Sequence, residues 1–118
     1  MNQLIHHQSN RRLSRAVVHN QTVYLSGVTA TDRSNDVAGQ AQEILDKISS
    51  LLELAGSDRH HVLSAQIYLR DIGRDLAAFN EIWDAWIKDH IPPSRAAIQA
   101  SMGSPDVLVE IMVIACTR

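Results

Sequence analysis

The last quarter of the chain, residues 91–115, restricts the possible fold more than any other stretch. Its sequence is IPPSRAAIQASMGSPDVLVEIMVIA. Apart from Glu110, residues 107–115 are apolar and rich in β-branched side chains, which is typical of a short strand buried on both faces. The pair Pro92-Pro93 disfavours a helix and precedes a second extended segment, residues 94–100. Because turn-forming residues 103–106 separate the two segments, we predict an antiparallel hairpin.

This hairpin has a consequence for two charged residues. If its loop centres on Met102 and Gly103, Arg95 lies directly opposite Glu110, with about 5 Å between their Cβ atoms. Ala97 then follows Arg95 on the same mostly apolar face. Two interpretations remain open. Arg95 and Glu110 form a cross-strand ion pair that fixes the register, worth at most about 1 kcal/mol, or they line a pocket in which the guanidinium binds a carboxylate and Glu110 handles water or a proton.

Length and composition limit the class of protein. With 118 residues, 45% of them hydrophobic, the chain is expected to form a single globular domain over residues 1–118. No apolar stretch reaches the ~18 residues of a membrane span, and the first ten residues lack an apolar signal core. The only cysteine, Cys116, ends an apolar strand and is interpreted as a packing residue. We therefore predict a cytoplasmic protein with no membrane contact.

The remaining strands are predicted from alternation and turn residues. Residues 16–19 and 22–26 are two short strands separated by the turn Asn20-Gln21. Residues 62–70 alternate, with Leu63, Ala65, Ile67 and Leu69 pointing one way. The first ten residues are polar and form an edge strand at most.

Two amphipathic helices follow from apolar residues at i, i+3, i+4 and i+7. The first covers residues 37–55, with Asn35 or Asp36 as its N-cap and Gly56 just beyond its end. The second covers residues 76–88, with Asp75 as its N-cap and both tryptophans in its apolar stripe. Asn80 is a polar residue in this helix that either faces a pocket or is exposed.

The predicted order is therefore β-β-α-β-α-β-β, which makes an α+β, two-layer sandwich. Both helices cover one face of a mixed sheet. Residues 107–115 are apolar on both faces, but the two helices cover only one face of the sheet. No further predicted element is left to cover the second face. Such a face is unusual in a soluble monomer, so we predict that the protein associates with copies of itself through it.

No metal or cofactor site is predicted. The adjacent histidines His6-His7 and His60-His61 would point to opposite faces of a strand and so cannot chelate one ion. Arg11, Arg12 and Arg15 form a small basic cluster that we interpret as a solvated face. The net charge of −2 argues against nucleic-acid binding through bulk electrostatics.

Taken together, these segments resemble the Rid family, also called the YjgF-like or reactive intermediate deaminase family. The most specific part is PPSRAA at residues 92–97, followed by SPD at 104–106, LVEI at 108–111 and IA at 114–115. Supporting pieces are VYLSG at 23–27, LAGS at 54–57 and FNEIW at 79–83. The resemblance covers nearly the whole chain.

The resemblance implies a homotrimer of chorismate-mutase-like fold with a pocket at each subunit interface. Family members with this arginine hydrolyse enamines and imines derived from amino acids to 2-keto acids and ammonia, without a metal or organic cofactor. Arg95 would bind the substrate carboxylate, and Glu110 would position the attacking water. Ser26, Gly27 and Asn80 match further pocket residues.

The chain departs from the best-characterised branch at two of these positions. Leu13 occupies the place of a tyrosine that reaches the pocket, and Ala97 stands where that branch often has cysteine, so the sequence indicates a divergent branch. Three functions are therefore considered: an imine or enamine deaminase, a non-catalytic trimer that binds small carboxylates such as 2-keto acids, and a nucleic-acid-directed activity. The arginine and glutamate favour the first, Leu13 favours the second, and the acidic net charge counts against the third.

Overall fold

The computed structural model describes residues 3–118, which form six strands and two α-helices. The strands are β1 (Ile5–Ser9), β2 (Ser14–His19), β3 (Thr22–Leu25), β4 (Val62–Leu69), β5 (Ser94–Gln99) and β6 (Val109–Cys116), and the helices are α1 (Val37–Leu54) and α2 (Ile72–Trp86). The strands make one sheet in the order β1-β2-β3-β6-β4-β5, and both helices pack on one face of it. The predicted α+β sandwich is confirmed. Within residues 3–118, no helix is long and apolar enough to span a membrane.

The first helix begins where the sequence predicts and ends one residue earlier, with Ala55 as its C-cap. The Asp36 carboxylate accepts a hydrogen bond from the Gly39 amide and caps the N-terminus of α1. Gly56 follows the helix with φ at 84°, a left-handed conformation that favours glycine. The apolar stripe predicted for this helix is buried against the sheet.

The second helix begins four residues earlier than predicted. Asp71, not Asp75, is its N-cap, because the Asp71 carboxylate accepts from the Arg74 amide at 3.1 Å. Asp75 lies inside the first turn, where its buried carboxylate accepts two hydrogen bonds from the Arg74 guanidinium. The sequence prediction missed this first turn because it contains Gly73, and an isolated glycine weakens a helical pattern without ending the helix.

The predicted short turn and the N-terminal edge strand are both present, and they form two hairpins. Asn20 and Gln21 both have positive φ, at 49° and 66°, as a two-residue type I′ turn between β2 and β3 requires. The N-terminal strand β1 pairs only with β2 and forms one edge of the sheet.

The alternation predicted for β4 fails at its first residues. Ala65, Ile67 and Leu69 are buried under the helices as expected, but Leu63 is half exposed. The pairing of β4 with β6 shifts between Val62 and Ser64, and this bulge turns Leu63 away from the core.

The C-terminal hairpin prediction is wrong, because β4 lies between β5 and β6. The strand β5 pairs with β4 in parallel and forms the second edge of the sheet, while β6 pairs with β4 and β3. Two backbone hydrogen bonds hold the connecting loop against the end of β4. The Ala100 amide donates to the Leu69 carbonyl, and the Arg70 amide donates to the Leu108 carbonyl. Turn residues between two apolar segments are equally compatible with a tight hairpin and with a loop that skips a strand.

The sheet therefore has a covered face and an open face. Alternate residues of β6, Val109 to Ala115, are buried beneath the helices, whereas Met112 and Ile114 on the other face are only partly buried. Tyr24 and Ile98 are 46% and 50% exposed on that open face. The predicted uncovered apolar face is present in the single chain.

Candidate functional site

The carboxylate of Glu110 lines a cleft at one end of the open sheet face. The cleft has a volume of about 340 Å³ and is lined by Gly27, Tyr68, Ala100, Ser101, Met102, Glu110 and Met112. Glu110 is partly buried, and no ion pair or side-chain hydrogen bond within residues 3–118 involves it. A carboxylate in this position is available to hydrogen-bond water or a ligand.

Gly27 leaves the space that this carboxylate occupies. A Cβ atom at position 27 would overlap Oε2 of Glu110, so any other residue there would displace the carboxylate. Gly27 lies two residues beyond the end of β3, and Val28 continues the sheet through backbone hydrogen bonds in both directions with Ile111. Gly27 thus permits the Glu110 side chain to approach the backbone closely at this strand end.

Arg95 lies on the edge strand β5 and points to the helix-covered side of the sheet. It is in register with Ala65, whose side chain is buried beneath the helices. The guanidinium carbon lies 5.9 Å from the centroid of the Phe79 ring and 5.5 Å from that of Trp83, both on α2. Both distances are typical of cation–π contacts, and these contacts hold the guanidinium without using its N–H donors. Within the described chain Arg95 has no acidic partner.

The predicted pairing of Arg95 with Glu110 is wrong, because the two residues lie on opposite faces of the sheet. Glu110 is in register with Tyr68 on the open face, three positions along β4 from Ala65, the partner of Arg95. The two positions are therefore separated by two strand spacings and about 10 Å along the strand. Neither a register-fixing ion pair nor a shared pocket can form between them inside one chain.

The other candidate residues divide into the same two groups. Ala97 shares the helix-side face of β5 with Arg95, and Asn80 follows Phe79 in α2. Among residues 3–118, Oδ1 of Asn80 is the only buried side-chain nitrogen or oxygen without a hydrogen-bond partner. This group therefore offers an unsatisfied amide oxygen in addition to the free donors of Arg95.

Leu13 and Ser26 lie at the end of the sheet that carries Glu110, although neither is among the residues that line the cleft. Ser26 follows the last residue of β3 and precedes Gly27, and its amide donates to the Arg15 carbonyl at 3.0 Å. Leu13 lies in the turn between β1 and β2, at this same end of the sheet, and is 44% exposed. The Asn10 side chain holds the turn by accepting from the amides of Arg12 and Leu13. Arg11, Arg12 and Arg15 are exposed there, as predicted.

Two residues that the sequence did not single out hold the loop that walls the cleft. Arg70 donates from its guanidinium to the carbonyls of Val107 and Ser104. Gln40 of α1 is fully buried; it donates to the Asp106 carbonyl and accepts from the Leu108 amide, both at 3.0 Å. A lone glutamine within a helical apolar stripe was the only sequence signal for this contact.

Tyr68 is a further residue of the cleft that sequence reasoning did not select. The alternation of β4 correctly placed it on the face opposite Leu69, but the mistaken hairpin left β4 remote from Glu110. Its hydroxyl donates to Oε1 of Gln66 at 2.7 Å. Its position beside Glu110 depends on the antiparallel pairing of β4 with β6.

The histidines lie apart from both groups. The rings of His60 and His90 are 3.5 Å apart between centroids, and His61 pairs with Asp58, which lowers the pKa of that carboxyl group. No group of three His, Cys, Asp or Glu side chains in the described part of the chain is arranged to hold a metal ion. Cys116 is partly buried, with Sγ 3.7 Å from the His61 carbonyl oxygen.

Known proteins are similar to this chain in both sequence and fold. A family model described as "Endoribonuclease L-PSP" matches residues 5–117. A "RutC family protein" from Haemophilus influenzae is 40% identical over 106 residues, 88% of this chain and 90% of the relative. The crystal structure of a YjgF family member from Neisseria meningitidis superposes with a TM-score of 0.93 at 36% identity, covering 99% of this chain and 97% of the other. A Rid family protein of unknown function from Yersinia pestis gives a TM-score of 0.85 at 26% identity, covering 92% and 90%.

Proposed function

The chain belongs to the endoribonuclease L-PSP family, also called the Rid or YjgF-like family, and on that premise we propose that it hydrolyses imines derived from amino acids to 2-keto acids and ammonia. Enamines would enter the same reaction after tautomerising to imines. The observation that carries the proposal is that Arg95 and Glu110 each lack an ion-pair partner within the described chain. A free guanidinium fork suits a carboxylate, and a free carboxylate suits a water molecule.

The opposite orientations of the two residues support a site built between copies of the chain. Arg95 on an exposed edge strand of one copy would complete the cleft around Glu110 of another copy. The open apolar face, with Tyr24 and Ile98 half exposed, supports association of three copies into the homotrimer that the family resemblance implies. One assembly would thus cover the open face and unite the two groups of residues.

The proposed reaction needs only orientation and a placed water. The guanidinium of Arg95 binds the substrate carboxylate in a two-point contact. Glu110 accepts a proton from water as the water oxygen bonds to the imine carbon and the C=N π electrons move to nitrogen. Proton transfer to the nitrogen of the resulting carbinolamine lets the C–N bond break, which releases ammonia and leaves the 2-keto acid. No redox change occurs, so no cofactor is required by this balance.

A second candidate function is a trimer that binds small carboxylates without turnover. Leu13 favours it, because an aliphatic side chain at the end of the sheet replaces a tyrosine of the best-characterised branch. The description of the matching family as an endoribonuclease suggests RNA as a third target. The net charge of −2 counts against that target.

Ammonia release from freshly generated 2-imino acids tests the proposal. We expect the wild type to exceed the non-enzymatic rate, and Arg95→Ala to lower kcat/KM by roughly 10- to 100-fold through loss of a charged hydrogen-bond pair. Arg95→Lys should recover little, because lysine lacks the planar fork. Glu110→Gln should lower kcat by about 100-fold or more while pyruvate still raises the melting temperature.

Lys88→Ala serves as the matched control, since it removes one exposed positive charge beyond the end of α2. It should leave turnover and pyruvate binding unchanged. Equal imine hydrolysis by wild type and Arg95→Ala would refute the assignment of Arg95. Stabilisation by pyruvate without any ammonia release would instead favour the binding trimer, and cleavage of RNA by the purified protein, lost with Glu110→Gln, would favour the third candidate.

A further inference from the structure

The phenol of Tyr68 lies beside the candidate carboxylate and has no part in the reaction outlined above. Tyr68 of β4 is in register with Glu110 of β6, so both side chains leave the same face of the sheet. Directly opposed Cβ atoms in an antiparallel pair are about 5 Å apart. Tyr68 is partly buried and lines the same cleft as Glu110.

A neighbouring glutamine fixes the direction of the Tyr68 hydrogen bond. The Tyr68 hydroxyl lies 2.7 Å from Oε1 of Gln66, two residues earlier on the same strand face. An amide oxygen has no hydrogen to give, so the hydroxyl must donate its only proton to Gln66. The lone pairs of the phenolic oxygen remain, and this oxygen is therefore available as a hydrogen-bond acceptor.

We propose that Tyr68 recognises the nitrogen of the substrate by accepting a hydrogen bond from the imine N–H. This inference rests on the proposed function and adds the residue that distinguishes substrate from product. An imine offers an N–H donor where the 2-keto acid has a carbonyl oxygen with only lone pairs. An acceptor held in place by Gln66 attracts the first and repels the second, which favours release of the product.

Tyr68 is better placed for this role than the other hydroxyl of the cleft. Ser101 belongs to the exposed loop between β5 and β6, and no hydrogen bond within residues 3–118 fixes its side chain. Tyr68 lies on β4, which pairs with a strand on each side. A group on a central strand keeps its geometry more precisely than one on a loop.

A pair of ligands separates recognition of nitrogen from recognition of carboxylate. Oxamate and pyruvate both carry a carboxylate, but oxamate has an amide nitrogen with N–H donors in place of the methyl group, and a half-turn about its C–C bond brings that nitrogen to the position of the keto oxygen. We expect the wild type to bind oxamate more tightly than pyruvate in a thermal-shift titration. Tyr68→Phe should lower oxamate affinity by about fivefold to tenfold, the effect of one lost hydrogen bond, and leave pyruvate affinity unchanged.

Tyr24→Phe is the matched control. Tyr24 is the other tyrosine of the chain and lies on the same open face, but it is in register with Val17 and Ile114, outside the cleft. This variant should keep the preference for oxamate. Gln66→Met should weaken the preference with Tyr68 intact, because the freed hydroxyl can then donate to the carbonyl oxygen of pyruvate.

The outcomes separate this inference from the proposed function. Imine turnover that is equal in wild type and Tyr68→Phe, with the oxamate preference retained, overturns the role of Tyr68 and leaves the deaminase intact. Equal weakening of both ligands by Tyr68→Phe assigns Tyr68 only to the shape of the cleft and also overturns it. A Tyr68-dependent preference in a wild type that releases no ammonia supports nitrogen recognition and refutes the deaminase. If neither ligand shifts the wild-type melting temperature, both the role of Tyr68 and the proposed carboxylate-binding site are refuted.

Discussion

Gly27 and Glu110 depend on each other in a way that neither residue reveals alone. The carboxylate of Glu110 lies in the space that a side chain at position 27 would fill. Gly27 is therefore needed for the location of a charge and not for an unusual backbone angle, since it is not among the residues with positive φ. The atom in the way is the far end of a flexible side chain, so a methyl group there would move the carboxylate before it moved the backbone.

We predict that Gly27→Ala keeps the fold and loses most of the turnover. Displacement of a catalytic group by about 1 Å costs up to about a hundredfold in rate, so kcat for imine hydrolysis should fall by roughly tenfold to a hundredfold. Circular dichroism and the mass of the assembly should not change. Gly73→Ala is the control, because a Cβ there meets only Oδ1 of Asp71 at an ordinary 3.9 Å. Full activity in Gly27→Ala would show that the present position of Glu110 is not the working one.

At the scale of elements, the loop that follows β3 is fastened to α1 by one glutamate and one lysine. The Glu43 carboxylate accepts from the amides of Thr31 and Asp32 and pairs with Lys47 at 2.9 Å. Lys47 in turn donates to the Thr29 carbonyl and the Thr31 hydroxyl. Because this loop begins just after Gly27, the contacts help to hold the end of β3 beside Glu110.

The stability of this attachment should depend on acid pH. The hydrogen bond from Lys47, followed by those from the two loop amides, lowers the pKa of Glu43 from 4.5 to about 2. A carboxyl group with a lower pKa in the folded state contributes stability that is complete above its unfolded pKa and is lost as pH falls through its folded pKa. The contribution of Glu43 should therefore disappear between pH 4.5 and about 2.

Urea unfolding of wild type and Glu43→Gln across this range is the measurement. The wild type should be the more stable protein at neutral pH, and the difference in free energy of unfolding should shrink towards pH 2. Glu81→Gln removes an exposed carboxylate from α2 and should show no such convergence. A difference between wild type and Glu43→Gln that does not vary with pH would contradict the lowered pKa.

At the scale of the whole molecule, one chain contains both groups of the proposed site but holds them apart. Arg95 and Asn80 belong to the helix-covered side, near the edge strand β5. Glu110, Gly27 and Tyr68 belong to the open side of the sheet. In the proposed trimer, a rotation that repeats around a closed ring would bring one group of each copy against the other group of its neighbour, as heterologous interfaces do.

Mixing two inactive variants tests this arrangement. Arg95→Ala and Glu110→Gln should each keep at most about a tenth of the wild-type activity alone, yet co-refolding them in equal amounts should restore about one quarter of the wild-type sites, since each interface has one chance in four of receiving both intact residues in a cyclic trimer. Light scattering should give about three chain masses for the wild type and for the mixture. A monomer mass, or no recovery of activity from mixed assemblies, would refute a site shared between copies.

The amino-acid sequence by itself determined the helices and strands and their arrangement in two layers. Periodic apolar residues defined α1, the Asn20-Gln21 turn defined its hairpin, and Asp36 and Gly56 marked the ends of the first helix, because these signals are local and act through the backbone of their own segment. The motifs around Arg95 and Glu110 also identified the family. These properties need no knowledge of which strands are neighbours.

Only the tertiary structure decided which residues share a face and a cleft. The insertion of β4 between β5 and β6 separated Arg95 from Glu110 and placed Tyr68 beside the glutamate. The bulge that exposes Leu63 was equally invisible in the sequence. Strand order is set by how the whole sheet buries its apolar side beneath two helices, and a shift of one strand or one residue changes the partners of every side chain. The local pattern of one segment cannot carry that information.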